Sequence, residues 1–392
     1  WSRVLEGGVF TDAIALLLAL TLTVEFLIVI MANPRKSSTS PGAVDGVRAA
    51  GRGRGHGRAT QATVAAQAGV TTMTVSRFLR APDLVAPETA DRIRAALLHT
   101  GYTPNKSAGM LAGRRSSIVA VIVPSIAHAT FSETVQSLSD GLQPYELELL
   151  LAATNYQSAR EEQQIRAVLA WSPSALVVTG RKHSAAATAL LQQARASGIP
   201  VVEIWDFDAR EKDVVQIGFS HSRVGALMAE HLTRRGYGDL VYVDNSVPED
   251  FRAHERGQAF VRAARKADAQ VRVLPMPRLD PMAAGRAVLQ QLMAQGLPRA
   301  MAFASDFPAA GAWLQAQESG INVPEQLAML GFGDYPIAAQ LGAGLSTVSV
   351  DRKSLGALCA QQVLAMLYPE SVAAVAPAQR EIRPRILQRG TS

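Results

Sequence analysis

A chain of 392 residues, 48% hydrophobic and only 6% aromatic, is too long for one small domain and too apolar for a disordered protein. Its single cysteine, Cys359, lies in an apolar helical stretch, which excludes an intrachain disulfide and a cysteine-based metal cluster and fits a reducing cytoplasm. The net charge of +6 is uneven: residues 1–115 hold 14 Lys+Arg against 7 Asp+Glu, and the remainder holds 25 against 26, so the positive excess sits where contact with phosphates is expected.

Residues 13–32 are almost wholly apolar, broken by Thr21, Thr23 and Glu25, and twenty such residues suffice to span a bilayer. Two readings stand. Residues 1–30 come from an overextended reading frame, with Met31 as the start of a cytoplasmic protein, or they anchor the chain to a membrane. The first is preferred, because the rest reads as an ordinary cytoplasmic protein. Residues 36–58 are rich in Ser, Gly, Pro and Arg and hold too little apolar material for a core. Residues 1–58 are therefore set apart from the folded parts.

Residues 59–104 read as a compact helical block. Thr60 can cap a helix over Gln61–Ala68 with Val64 and Ala65 inward. Gly69 suits the left-handed turn that follows, and Val70 buries itself between two helices. Thr71 or Thr72 then caps a second helix over Met73–Leu79, with Val75 and Leu79 facing in. Two short helices across a glycine turn make a helix-turn-helix. The outward face of the second helix offers Thr72, Met73, Ser76 and Arg77 to base edges and phosphates. Phe78 is open to packing or to groove contact. Pro87, Glu88 and the stripe Ile93, Ala96 and Leu97 mark a third helix.

After a linker over residues 105–115, apolar runs alternate with helical spacing through residues 116–392. The runs are Ile118–Val123, Leu147–Ala152, Ala175–Val178, Val201–Ile204, Leu240–Val243, Val271–Leu274, Ala300–Ala304 and Leu327–Leu330. Short, continuously apolar runs read as strands buried on both faces, and their alternation with helices predicts doubly wound parallel sheets in two lobes. Ligands of such sheets sit beyond the carboxyl ends of strands. That rule selects Ser125, Thr154, Asn155, Arg181, Lys182, His183, Asp206, Phe219, His221, Asp306 and Asp334. Asp306 leads, because a carboxylate just past a strand can accept two hydrogen bonds from the hydroxyls of a ligand.

The run Val64-Ala65-x-x-Ala68-Gly69-Val70-Thr71-x-x-Thr74-Val75-Ser76-Arg77-x-Leu79, followed by Gly101-Tyr102-x-Pro104-Asn105 and Leu111-Ala112, resembles the head of lactose-repressor-family regulators. The family's usual Asp in the first helix is Thr63 here, and its usual Ser cap on the third helix is Ala86. Looser likenesses continue in Ile217-Gly218-Phe219, Arg256-Gly257-x-x-x-Phe260, Ser305-Asp306 and Leu330-Gly331-Phe332-Gly333-Asp334. The resemblance implies an all-α helix-turn-helix head on a two-lobed α/β body like periplasmic sugar-binding proteins. It implies a homodimer on a pseudo-palindromic operator, and a small sugar effector. It carries DNA contact to Thr60, Thr71, Thr72, Met73, Thr74, Ser76, Arg77, Tyr102, Asn105, Ser107 and Leu111. Leu111 lies in a hinge segment whose leucine wedges into the minor groove. Effector contact goes to Ser125, Arg181, His183, Asp206, Phe219, Asp306, Asp334 and His254, which stands where the family often has an Arg.

A finer likeness lies in Thr72–Leu79, in Ile199-Pro200-Val201-Val202-Glu203 with Asp206, and in His183 after a basic pair. These resemble the gluconate-operon repressor branch. An acidic sugar needs a cation, and Arg181, Lys182, Arg252 and His254 are candidates. Against an enzyme, no G-x-G-x-x-G follows a strand, and neither G-x-x-x-x-G-K-[ST] nor G-x-S-x-G occurs, so no cofactor, metal or catalytic residue is expected. A transport sugar-binding protein would lack the head, and a membrane-tethered regulator turns on residues 13–32.

Overall fold

The computed structural model describes residues 59–103, 116–126, 130–245, 247, 249–370 and 379–392. The apolar stretch 13–32, the Gly/Arg-rich segment, and Asn105, Ser107 and Leu111 lie outside the described residues. Two compact units divide between residues 104 and 105.

In the first unit, α1 (Gln61–Ala68), α2 (Thr72–Arg80) and α3 (Pro87–Thr100) close a small core. The Thr60 hydroxyl accepts from the Thr63 N–H at 3.2 Å, and the Thr63 hydroxyl accepts from the Thr60 N–H at 3.2 Å, a reciprocal capping box. Thr63, the departure from the family pattern, thus completes the cap. Gly69 turns the chain at φ 64°, and Thr71, not Thr72, caps α2 by accepting from the Thr74 N–H at 3.2 Å. The inward anchors of α2 are Val75 and Phe78; Leu79, expected to face in, is only half-buried. Residues three apart share a helix face, and Phe78 is further covered by Arg94, whose guanidinium lies 5.4 Å from its ring. Ala86 gives α3 no side-chain cap, but Pro87 presets its first turn.

The second unit holds two sheets. The first lobe orders its strands β11-β5-β4-β3-β1-β2, all parallel, from β1 (Ile118–Val123), β2 (Glu148–Ala153), β3 (Ala175–Thr179), β4 (Val201–Ile204), β5 (Val215–Gly218) and β11 (Gln379–Glu381). The second orders β12-β10-β9-β8-β6-β7, from β6 (Asp239–Asp244), β7 (Gln270–Pro275), β8 (Ala300–Phe303), β9 (Ala328–Phe332), β10 (Ser346–Ser349) and an antiparallel β12 (Arg385–Leu387). The eight apolar runs correspond to β1–β4 and β6–β9. β5 and β10 carry polar residues into buried positions and show no such run.

Helices α4 (Ser132–Leu142), α5 (Ser158–Leu169) and α6 (Ala185–Ala196) belong to the first lobe. Helices α7 (His221–Arg234), α8 (Phe251–Lys266), α9 (Pro281–Gln295) and α10 (Asp306–Glu318) belong to the second. Helix α11 (Arg352–Leu367) packs back on α4. The chain therefore crosses between lobes after β5, after β10 and after β11. One glycine decides the placement of α8: a Cβ at Gly225 on α7 would collide with the Arg256 carbonyl, so only glycine lets the two helices meet there. Cys359 is buried on α11, and burial pushes its thiol up to about 12.

Candidate effector cleft and DNA-reading helix

The carboxyl ends of the parallel strands in both lobes meet at a cavity of about 90 Å³. Thr130, Phe131, Tyr156 and Trp205 come from the first lobe, and Asn245, Asp250, Arg252, Arg256, Ser305, Phe332 and Tyr335 from the second, with His221 at a crossover. Strand ends at the point where the winding reverses are where doubly wound sheets bind ligands.

The first lobe supplies rings. Trp205 holds a left-handed φ of 73°, which turns its indole into the cavity. It packs edge-on to Phe131 at 4.9 Å and to the fully buried Phe219 at 5.7 Å. Its indole Nε1 is buried without a hydrogen-bond partner among the described residues, a donor left over beside the cavity. Burial raises the Tyr156 hydroxyl to about 12, so it too remains a donor at neutral pH.

The second lobe supplies charge. Arg256 is 5% exposed; it donates to His221 Nδ1 at 2.9 Å and to the Ala304 carbonyl at 3.3 Å, and its guanidinium lies 4.2 Å over the Phe332 ring. An arginine is only a donor, so His221 Nδ1 must accept and the ring proton sits on Nε2. That nitrogen lies 3.0 Å from both the Trp205 carbonyl and Asp206 Oδ1. Burial lowers the His221 pKa, in keeping with a neutral ring. Burial alone would raise the Asp206 carboxyl, but the His221 N–H and the Arg252 and Arg181 charges hold it below the usual carboxylate range. Arg252 Nη1 stands 3.5 Å from Asp206 and its Nε 3.6 Å from Asp250, whose other oxygen accepts from Asn245 at 2.7 Å. Two guanidiniums, one carboxylate with an unbonded oxygen and several neutral donors thus surround the cleft. That set suits a small polyhydroxylated anion.

The strand-end expectations distribute unevenly. Asp206 and Phe219 sit directly behind the cavity, and Arg181 lies nearby, paired with Glu255 at 2.6 Å; its guanidinium and the Lys182 ammonium approach the Phe251 ring at 5.7 and 4.9 Å. Ser125 is buried and does not line the cavity. His183 belongs to a separate network, 2.8 Å from Glu161 and 3.7 Å from Glu203; burial opposes its charge, but the two carboxylates raise it to about 9. His254 is exposed and bonds Gln258, so it is not the cation of the cleft. Arg252 and Arg256, one turn apart, share the inward face of α8, and position 254 lies halfway round the helix.

Asp306 is fully buried and does not reach the cavity: Oδ2 accepts from the Tyr335 N–H at 2.8 Å and Oδ1 from the Thr347 hydroxyl at 2.6 Å. Its two acceptor sites, expected for sugar hydroxyls, are taken by the Tyr335 N–H and by Thr347 of β10, and Ser305 lines the cleft instead. Asp334 pairs with Arg389 at 2.7 Å and lines a different cavity. Sequence reasoning passed over Trp205, Tyr156, Asn245 and Asp250, and named Arg256 only in a motif. The helical period was the signal available for Arg256.

On the head, Met73 is 69% exposed and Thr72 and Arg77 are also exposed, Ser76 less so. The hydroxyls of Thr60, Thr71 and Thr74 are engaged in helix caps, and Tyr102 packs against the head core.

Residues 62–105 match the profile of bacterial regulatory proteins, lacI family, and residues 229–392 match that of a periplasmic binding protein-like domain. The HTH-type transcriptional regulator GntR of Pseudomonas aeruginosa is 38% identical over 320 residues, covering 81% of this chain and 91% of its own. The regulator GntR of Escherichia coli K12 is 27% identical over 310 residues, covering 79% and 92%. Among solved structures, a LacI-family transcriptional regulator from Silicibacter pomeroyi superposes with a TM-score of 0.78 at 32% identity, covering 85% of this chain and 99% of that one. The Lac repressor dimer bound to operator and the anti-inducer ONPF shares the fold, with a TM-score of 0.71 at 22% identity, covering 85% and 99%. With this head, this body and these relatives, the chain belongs to the lacI family of bacterial regulatory proteins and is a DNA-binding transcriptional regulator.

Proposed function

We propose that the chain is a cytoplasmic repressor whose hold on its operator is governed by a sugar acid of the gluconate type. The observation that carries this reading is the pair Arg252 and Arg256, buried on one face of α8 against the cleft, with the Trp205 indole N–H unbonded beside them. Arg252 is flanked by Asp206 and Asp250, but Arg256 pairs with no carboxylate among the described residues, and a ligand carboxylate offers it charge-assisted, bidentate hydrogen bonds that a neutral sugar does not. The rings of Phe131, Trp205 and Phe332 suit the C–H faces of the carbon chain. The GntR relatives and the resemblance to gluconate-operon repressors favour gluconate.

The exposed Thr72, Met73 and Arg77, with the half-buried Ser76, read the major groove and its phosphates, in a homodimer on a pseudo-palindromic site, since one head makes too few base contacts for genomic specificity. Among the described residues, which do not include the apolar stretch 13–32, no helix is long and apolar enough to cross a membrane. The test is fluorescence anisotropy of a labelled operator duplex with the full chain and D-gluconate or D-glucose. Gluconate should shift operator affinity by roughly five- to 150-fold, and glucose should leave it unchanged. An equal response to both sugars, or to neither, sinks the sugar-acid reading.

A further inference from the structure

Arg352 is the first residue of α11, immediately after the crossover from β10. The Asp351 carboxylate caps this helix on the Ser354 N–H at 3.1 Å and the Ser354 hydroxyl at 2.8 Å, which fixes where the crossover lands. Arg352 is only 5% exposed, and a buried guanidinium needs partners. It finds them in both lobes. In the first lobe, Nη2 lies 2.6 Å from Glu133 on α4. In the second, the same nitrogen donates to the Asp334 carbonyl at 3.2 Å, and the guanidinium sits 4.4 Å over the Tyr335 ring.

Each side of this bridge is braced independently. Helix α4 is tied to the first turn of α11 by Thr134, whose hydroxyl donates to the Arg352 carbonyl at 3.1 Å, and by Ser137, whose hydroxyl donates to the Lys353 carbonyl at 2.8 Å. The Asp334–Tyr335 turn is held by Asp306 on the Tyr335 N–H, by Thr347 on the Asp334 N–H at 3.3 Å, and by Arg389 on the Asp334 carboxylate. Tyr335 also lines the effector cleft. A cavity of about 230 Å³ beside Glu133, Asp334 and Arg352 leaves the guanidinium room to shift.

We propose that Arg352 is a positioning residue: it clamps the Asp334–Tyr335 turn of the second lobe to α4 of the first, so that a ligand packing on Tyr335 biases the arrangement of the lobes. This rests on the reading of the cleft as the effector site. A ligand shifts two arrangements only through contacts that differ between them, and the Arg352 contacts are ones that lobe movement must change. Arg352 does not line the effector cavity, so its role is in transmission rather than in holding the ligand.

The experiment uses the full chain with Arg352→Gln and Arg352→Lys, measuring D-gluconate affinity by calorimetry and operator affinity with and without saturating gluconate. In Arg352→Gln the ratio of the two operator affinities should fall about tenfold towards one. Operator affinity without gluconate should hold, and gluconate affinity should change by less than about threefold, roughly the scale of a lost rim contact. Arg352→Lys keeps a charge for Glu133 but has no planar face for Tyr335, and should recover part of the ratio; it carries the test if the Gln variant does not fold. An unchanged ratio in both overturns the proposal. Should the wild type ignore gluconate, the reading of the cleft fails separately, and hydrogen exchange of the ligand-free proteins judges the clamp. Faster exchange at residues 333–335 in Arg352→Gln, slowed again in Arg352→Lys, supports it, and equal exchange overturns it.

Discussion

Both lobes wind five strands in the same parallel order, yet they furnish the cleft with different chemistry. Phe131, Tyr156 and Trp205 of the first lobe present rings and neutral donors; Asp250, Arg252 and Arg256 of the second present charge. The difference follows from local structure. The two arginines occupy one face of a single helix, α8, with Asp250 just before its first residue, and the helix is seated by the close approach at Gly225, so their spacing is set before any ligand arrives. The rings come from separate strand ends and reach the cleft through loops. On the proposed sugar-acid reading, this division has the second lobe select the ligand by charge.

The sharpest way to break this comparison is Arg256→Met. The variant removes a cation from the cleft and leaves His221 Nδ1 without its donor. Gluconate affinity should fall about tenfold to a hundredfold, the worth of a charged hydrogen bond, while operator binding without gluconate persists. A calorimetric titration with near-normal affinity would mean that the second lobe's charge does not select the ligand.

Asp306→Asn probes the support beneath the cleft. Asn keeps one acceptor but turns an N–H₂ group towards a donor, either the Tyr335 N–H or the Thr347 hydroxyl, at a cost of about 1–3 kcal/mol in stability. The deficit should depend on pH. Burial raises the Asp306 carboxyl from 3.8 to about 6, with the bonds from Thr347 and Tyr335 opposing the rise. Between those values the unfolded chain releases this proton and the native chain retains it, so the carboxyl's contribution to stability falls as pH rises through that window and levels off above it. Asn does not titrate, so the variant's deficit should shrink as pH rises from about 4 to about 6. Urea denaturation at both ends of the window checks the sign, and a deficit that grows with pH would contradict the burial account.

The smallest effect is expected in the head, which lacks the body's large core. Thr60→Ala opens the capping box and should lower head stability by about 1 kcal/mol without altering gluconate affinity. Thermal unfolding and calorimetry together decide it; a change in effector affinity would show that cap and cleft are not independent.

Much of the fold was legible because buried parallel strands leave continuous apolar runs, as in Ile118–Val123 and Ala300–Ala304. β5 and β10 were not, because Gln216, Ser346 and Thr347 are polar yet buried, and the groups that satisfy their side chains, among them Glu203, the Arg389 N–H and Asp306, come from other elements of the chain. In the cleft, the strand-end rule located the right loops but not the direction of each side chain. Asp306 obeys the rule and still turns into the protein. The cations of α8 could have been found from their spacing alone, since positions 252 and 256 share a face that position 254 does not. Trp205 left no sequence signal, because its left-handed backbone depends on the packing around it.

The central claim, that the cleft selects a carboxylate on a sugar chain, is tested most directly by calorimetry of the full-length wild type against D-gluconate and D-glucitol, which differ only in whether C1 is a carboxylate or an alcohol. The account predicts that gluconate binds at least about tenfold more tightly, the worth of one charge-assisted bond to a buried arginine. Equal affinities, or tighter binding of glucitol, would contradict it.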